Sequence, residues 1–204
     1  MLPDYRQSEI NDKNYLKVDD ISQERLNAAV ELKKLLGNKV YYEAGDNLRK
    51  NLIRISPYYS GDKMLAPMEF VNCLYRCLES YIRVKANNFY IRTKNLSEVV
   101  SYLENLTESK LPKSLRSVSQ EMFKLATVGQ NASLGAYVLI IAGVLPKELL
   151  TDKEKVKKFL DDTGEIVTLR QHANRTELNL ILTAKKLSRL RENAFDAIKF
   201  LEEF

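Results

Sequence analysis

The residues best able to do chemistry in this chain are its clustered cations. Between Arg170 and Arg191 stand six basic residues (Arg170, Arg175, Lys185, Lys186, Arg189 and Arg191) against Glu177 alone. Lys185, Lys186 and Arg189 are three to four apart, so on a helix they share a face. A second group comprises Arg76, Arg83 and Arg92, with Lys85 and Lys94, interleaved with Tyr75, Phe89 and Tyr90. On a helix Arg76 and Arg83 lie away from Leu74, Leu78 and Ile82. Guanidinium forks take phosphate oxygens in pairs, and tyrosine rings stack on unpaired bases. The chemistry these spacings suit is contact with a nucleic-acid backbone, salt-dependent and indifferent to base sequence. The same side chains also suit the solvated face of helices, or an acidic protein partner.

Catalytic constellations are scarce. His172 is the one histidine of the chain, which removes most imidazole chemistry and every multi-histidine metal site. It lies between Gln171 and Asn174 in a polar segment and reads as a surface or capping residue. Asp162-Thr163-Gly164 matches the tripeptide of aspartic proteases, but that chemistry needs the aspartate in a tight turn between strands, paired with a second such triplet. Here it follows a basic segment, KEKVKKFLDD. Asp161 and Asp162 read instead as polar residues near a helix end that Gly164 stops. Cys73 and Cys77 fall on one helix face, which is half of a metal site at most, and they read as two small buried hydrophobes. No phosphate-loop glycine pattern or Gly-x-Ser-x-Gly occurs. Glu69 and Glu79 are ten apart and sit at different angles of their helix. The expectation is a protein that is not an enzyme, with no catalytic residue, no cofactor and no metal.

The elements that must hold the cations are helical. The chain has 204 residues, 45% of them apolar and 29% charged, with 7 Gly, 5 Pro, 2 Cys and no Trp. So few glycines disfavour a sandwich, a barrel or a glycine-looped nucleotide fold. Residues 1–19 are polar and aperiodic and read as an arm. A helix is expected from Asp20 to Leu36, with Leu26, Ala29, Val30, Lys33 and Leu36 on one stripe and Gly37 as its stop. KVYYEA at 39–44 suits a short strand, but 46–55 reads better as helix, and 56–67 as a loop. Pro67 suits the first turn of a long helix reaching about Arg92, whose face is Val71, Leu74, Leu78, Tyr81, Ile82, Lys85 and Phe89.

Asn95, with Glu98 three residues on, caps a helix striped by Val99, Val100, Leu103 and Leu106. Ser114 to Val128 reads as one helix, with Leu115, Val118, Met122 and Leu125 inward and Gly129 after it. Leu134 to Leu145 is an apolar run of twelve residues, too short to span a membrane and suited to a core helix. Its small residues (Ala132, Gly135, Ala136, Ala142 and Gly143) suit close helix packing, or alternatively a self-association face. Thr151 and Glu154 suggest a capping box for a basic helix that Gly164 closes. From Thr176 to Phe204, Leu180, Leu187, Ala194 and Leu201 recur every seven residues. Thr183, Leu190, Ala197 and Phe204 follow each by three. Ile181, Phe195 and Ile198 widen the stripe beyond a two-stranded seam, as in a bundle helix.

The fold expected is all-α: a single multi-helix bundle of seven or eight helices behind a polar N-terminal arm. Residues 20–204 form the helical domain, with a possible sub-division near 107–113. The net charge is +5 and unevenly placed. Residues 41–96 carry +4, residues 1–40 and 97–164 balance, and four acidic residues follow Arg191 against Lys199. The expected function is a non-catalytic helical subunit of a nucleoprotein or ribonucleoprotein assembly, contacting the backbone of RNA or single-stranded DNA. Its other partners would be protein subunits or further copies of itself. The alternative is a protein-interaction module whose C-terminal stripe docks a partner helix. The N-terminus resembles no export signal and the cysteines are few, so a cytoplasmic, reducing setting without a membrane is expected.

Overall fold

A computed structural model of the protein describes residues 67–87, 95–172 and 182–203, together with Val30 and Lys33. These residues contain eight helices and, among them, no strand. In chain order they are α1 (Pro67–Asn87), α2 (Leu96–Thr107), α3 (Lys113–Arg116) and α4 (Gln120–Thr127). Then come α5 (Leu134–Gly143), α6 (Lys147–Leu150), α7 (Lys153–Gln171) and α8 (Ala184–Glu202). Val30 and Lys33 are helical. The expected arm, the remainder of the 20–36 helix, the elements of 39–66, and Phe89, Arg92, Lys94, Arg175 and Phe204 lie outside the described residues.

The helix in the middle is α5. All ten of its residues are buried, and it packs against α1, α2, α3, α4 and α7. A helix apolar on every side belongs in a core, and Gly135, Ala136, Ala142 and Gly143 are all buried in it. A Cβ on Gly135 would meet Val118 Cγ2 at 3.1 Å, and one on Gly143 would meet Val99 Cγ1 at 3.2 Å. Around α5, α1 buries Val71, Leu74, Leu78, Tyr81 and Ile82, and α2 buries Val99 and Leu103, as their spacing predicts. Cys73 and Cys77 are in no disulfide and are buried in the same core, and burial pushes the Cys77 thiol well above its ordinary range.

Three expectations change. Ser114–Val128 is two helices, because Ser119 breaks it: its hydroxyl accepts from the Met122 N–H at 3.2 Å and starts α4 afresh. The break shifts the phase of the stripe. Phe123 and Ala126 are buried, while Met122 is 42% exposed. At α7, Asp152 and not Thr151 caps the start, accepting from the Lys155 N–H at 3.1 Å. Gly164 does not end that helix but lies inside it. A Cβ there would come within 2.6 Å of the Pro112 Cβ, so glycine at 164 lets α7 press against the corner before α3. The Ser114 hydroxyl donates to the Gly164 carbonyl at 2.8 Å and fastens the same contact.

Thr183 caps α8 by accepting from the Lys186 N–H at 3.3 Å. Leu187, Leu190, Ala194, Ala197 and Leu201, with Phe195 and Ile198, are buried, and α8 packs on α7 and α1. At its far end Glu202 accepts the Tyr81 hydroxyl and pairs with Lys85 at 2.9 Å, tying α8 to α1. No helix among the described residues is long and apolar enough to cross a membrane.

Candidate anion-binding cleft

The cations on the two basic stretches divide into three groups in space. Arg191 is 2% exposed, and its guanidinium lies over the Phe195 ring at 5.3 Å. A side chain so enclosed does not reach a phosphate outside the molecule, so Arg191 leaves the set of contact residues. Lys186 and Arg189 are at the surface but attend Glu165 of α7, at 4.0 Å and 3.3 Å. One carboxylate thus offsets part of the patch that the sequence made densest. Lys185 is exposed and in no ion pair among the described residues.

Arg76 and Arg170 form the third group. Both line a cleft of about 660 Å³ between α1, the α3–α4 corner, the start of α5 and the end of α7. Neither is in an ion pair among the described residues. Arg170 lies over the ring of Tyr75, 5.9 Å from its centroid. Tyr75 is fixed in turn, because its hydroxyl accepts the Leu134 N–H at 3.2 Å, one of the donors that α5 leaves unpaired at its start. Burial raises the Tyr75 phenol, with the Leu134 hydrogen bond acting against it.

The wall opposite α1 is rich in hydroxyls. Ser119 and Ser133, the N-caps of α4 and α5, both line the cleft. Each accepts one backbone N–H, from Met122 at 3.2 Å and from Ala136 at 3.3 Å. Among the described residues neither hydroxyl donates, so both protons are available to a ligand. Ser117 bonds the Ser114 carbonyl at 3.0 Å. Val118, Met122 and Val167 supply the apolar part of the lining.

Glu79 also lines the cleft. Burial raises its carboxyl above the usual range, and the positive charges of Arg83, Arg170 and Arg76 pull the other way without overcoming it. Three arginines therefore gather around one half-buried acid. The two basic stretches read separately in the sequence meet here, because α7 packs on α1 and brings Arg170 to Tyr75, Arg76 and Glu79. Glu79, Ser119 and Ser133 are cleft residues that the sequence did not assign, and Tyr75, read there as a base-stacking ring, lies against Arg170. Arg76, Glu79 and Arg83 do share one α1 face, with Tyr75 at its border with the core, a spacing that signals grouping but not what lies across from it.

Other candidates hold less. A second cavity of about 260 Å³ between α7 and α8 is bridged by Lys158–Asp196 at 3.1 Å and Lys155–Glu203 at 3.2 Å. Asp162 lies on that helical wall, bonded to Lys158, a setting unlike the strand-borne turn of a protease. His172 is the C-cap residue of α7. No cluster of three or more metal-ligating side chains occurs among the described residues. No protein-family model, no curated protein and no solved structure matches this chain.

Proposed function

We propose that the protein is a non-catalytic helical subunit of a nucleoprotein or ribonucleoprotein assembly, touching the nucleic-acid backbone through the cleft face of α1 and α7. One observation carries the reading: Arg76 and Arg170, from helices far apart in the chain, open onto the same cleft and form no ion pair among the described residues, with the half-buried Glu79 beside them. Unpaired guanidinium groups take phosphate without first giving up a partner. Lys185 extends the basic surface, with Lys186 and Arg189 as secondary contacts. The interaction-module reading loses its main support, since the α8 stripe is already covered by α7 and α1. With the function we propose one helical bundle over residues 20–204 behind a polar arm, and a reducing setting that suits two buried cysteines in no disulfide.

The test is fluorescence anisotropy with single-stranded RNA and DNA at about 50 and 200 mM salt. Binding is expected at the lower salt, weakening roughly tenfold or more at the higher if about four phosphates are contacted. Arg76→Gln with Arg170→Gln is expected to weaken binding more than Lys186→Gln with Arg189→Gln, in variants whose circular dichroism shows them folded. Absence of binding to either strand at the lower salt sinks the reading.

A further inference from the structure

We propose that the cleft is a phosphomonoester site, which takes a nucleotide through its terminal phosphate at the end of a strand or as the free mononucleotide. The inference rests on the nucleic-acid reading above and narrows it. Its first ground is arrangement. A groove that follows a backbone spreads its cations along a path. Here the donors surround one cavity instead: Arg76 from α1, Arg170 from α7, and the free hydroxyl protons of Ser119 and Ser133. Away from the cleft, Glu165 engages Lys186 and Arg189 and interrupts any continuing track.

The second ground is charge. A phosphodiester carries one negative charge, whereas a phosphomonoester carries about −1.5 to −2 at neutral pH. Arg76 and Arg170 form no ion pair among the described residues, and their two positive charges, set against Glu79 in the same cleft, draw a dianion more strongly than a monoanion. The first turns of α4 and α5 open on the same cleft, where their amide dipoles add to the attraction. The third ground is size. At about 660 Å³ the cleft falls within the range of small-molecule pockets, roughly 300–1,000 Å³, and exceeds what a bare phosphate fills. The remaining space has apolar walls in Val118, Met122 and Val167 and an aromatic ring in Tyr75, surfaces that suit a sugar and a base.

The experiment uses the full chain and internally labelled strands of about a dozen nucleotides, near the span of one single-strand binding module. The strands carry a phosphate at the 5′ end, at the 3′ end or at neither, and adenosine monophosphate serves as competitor. A strand with one phosphorylated end is expected to bind about tenfold tighter than the bare strand, a difference worth roughly 1.4 kcal/mol. Arg76→Gln and Arg170→Gln should each erase that preference. Arg170→Lys, which keeps the charge but loses the planar fork, should reduce it, and Lys147→Gln, at an exposed position outside the cleft lining, should leave it intact.

Weak competition by adenosine monophosphate identifies the strand end as the ligand. If the mononucleotide binds and no strand does, the phosphomonoester site stands and the strand-binding function falls. Equal binding of all three strands, still sensitive to Arg76 and Arg170, overturns the site and leaves the function standing. Loss of all binding overturns both.

Discussion

Glu79 is the residue that sets the charge of the cleft. Its carboxyl holds its proton more tightly in the folded chain than unfolded, because burial outweighs Arg83, Arg170 and Arg76. The stability this gives is complete below the unfolded value and is lost as the pH rises through the folded one. At neutral pH the folded protein therefore carries this charge at a cost. Glu79→Gln is expected to raise the melting temperature at pH 7, with the gain shrinking toward pH 4, and to tighten oligonucleotide binding by removing a negative charge. A variant that melts lower at pH 7 and binds more weakly would show Glu79 to be a structural partner of the arginines. Gly164 gives a second expectation at this scale. Gly164→Ala adds helix propensity worth about 1 kcal/mol. It also sets a methyl within 2.6 Å of a proline ring that cannot swing aside. The clash is expected to win, for a net loss of about 1–3 kcal/mol in denaturant unfolding. Neither role is visible in the residue itself, since a glycine near the end of a basic run looks like a stop until Pro112 is found against it.

Among the helices, what was legible was local. Asn95 and Glu98 announce a capping box, and the structure has it: Asn95 accepts from Ser97 N–H at 2.7 Å while its own N–H donates to Glu98 at 3.3 Å. Asn95→Ala is expected to cost about 1 kcal/mol, read as a lower denaturation midpoint with an unchanged slope. The uniform apolarity of 134–143 likewise announces burial on every side, whatever the neighbours are. The α3–α4 break was not legible, because Leu115, Val118, Met122 and Leu125 keep an unbroken helical period across it. A single hydroxyl at Ser119 overrides that period by offering the backbone a competing hydrogen bond. The start of α7 shows the same limit. Thr151 and Asp152 are both good caps, and only the observed backbone selects the aspartate.

In the whole molecule, the helical class follows from composition and period, and the cleft does not. Arg76 and Arg170 are ninety-four positions apart, and nothing in either stretch records that α7 lies on α1. For the same reason the densest cation patch of the sequence is partly offset in the structure. The partner of Lys186 and Arg189, Glu165, lies a whole segment upstream, and Arg191 faces inward. The central position of α5 bears on how the chain is made as well as on how it rests. At synthesis rates of about 5–20 residues per second, some 1–6 s separate the emergence of Gly143 from that of Gln171. During that interval a helix with no polar side has α1 to α4 for cover but not yet the whole of α7. The newborn chain must therefore shelter its most water-averse segment before the helix that completes its cover exists, and a ribosome stalled in this window would present α5 to whatever binds apolar surface first.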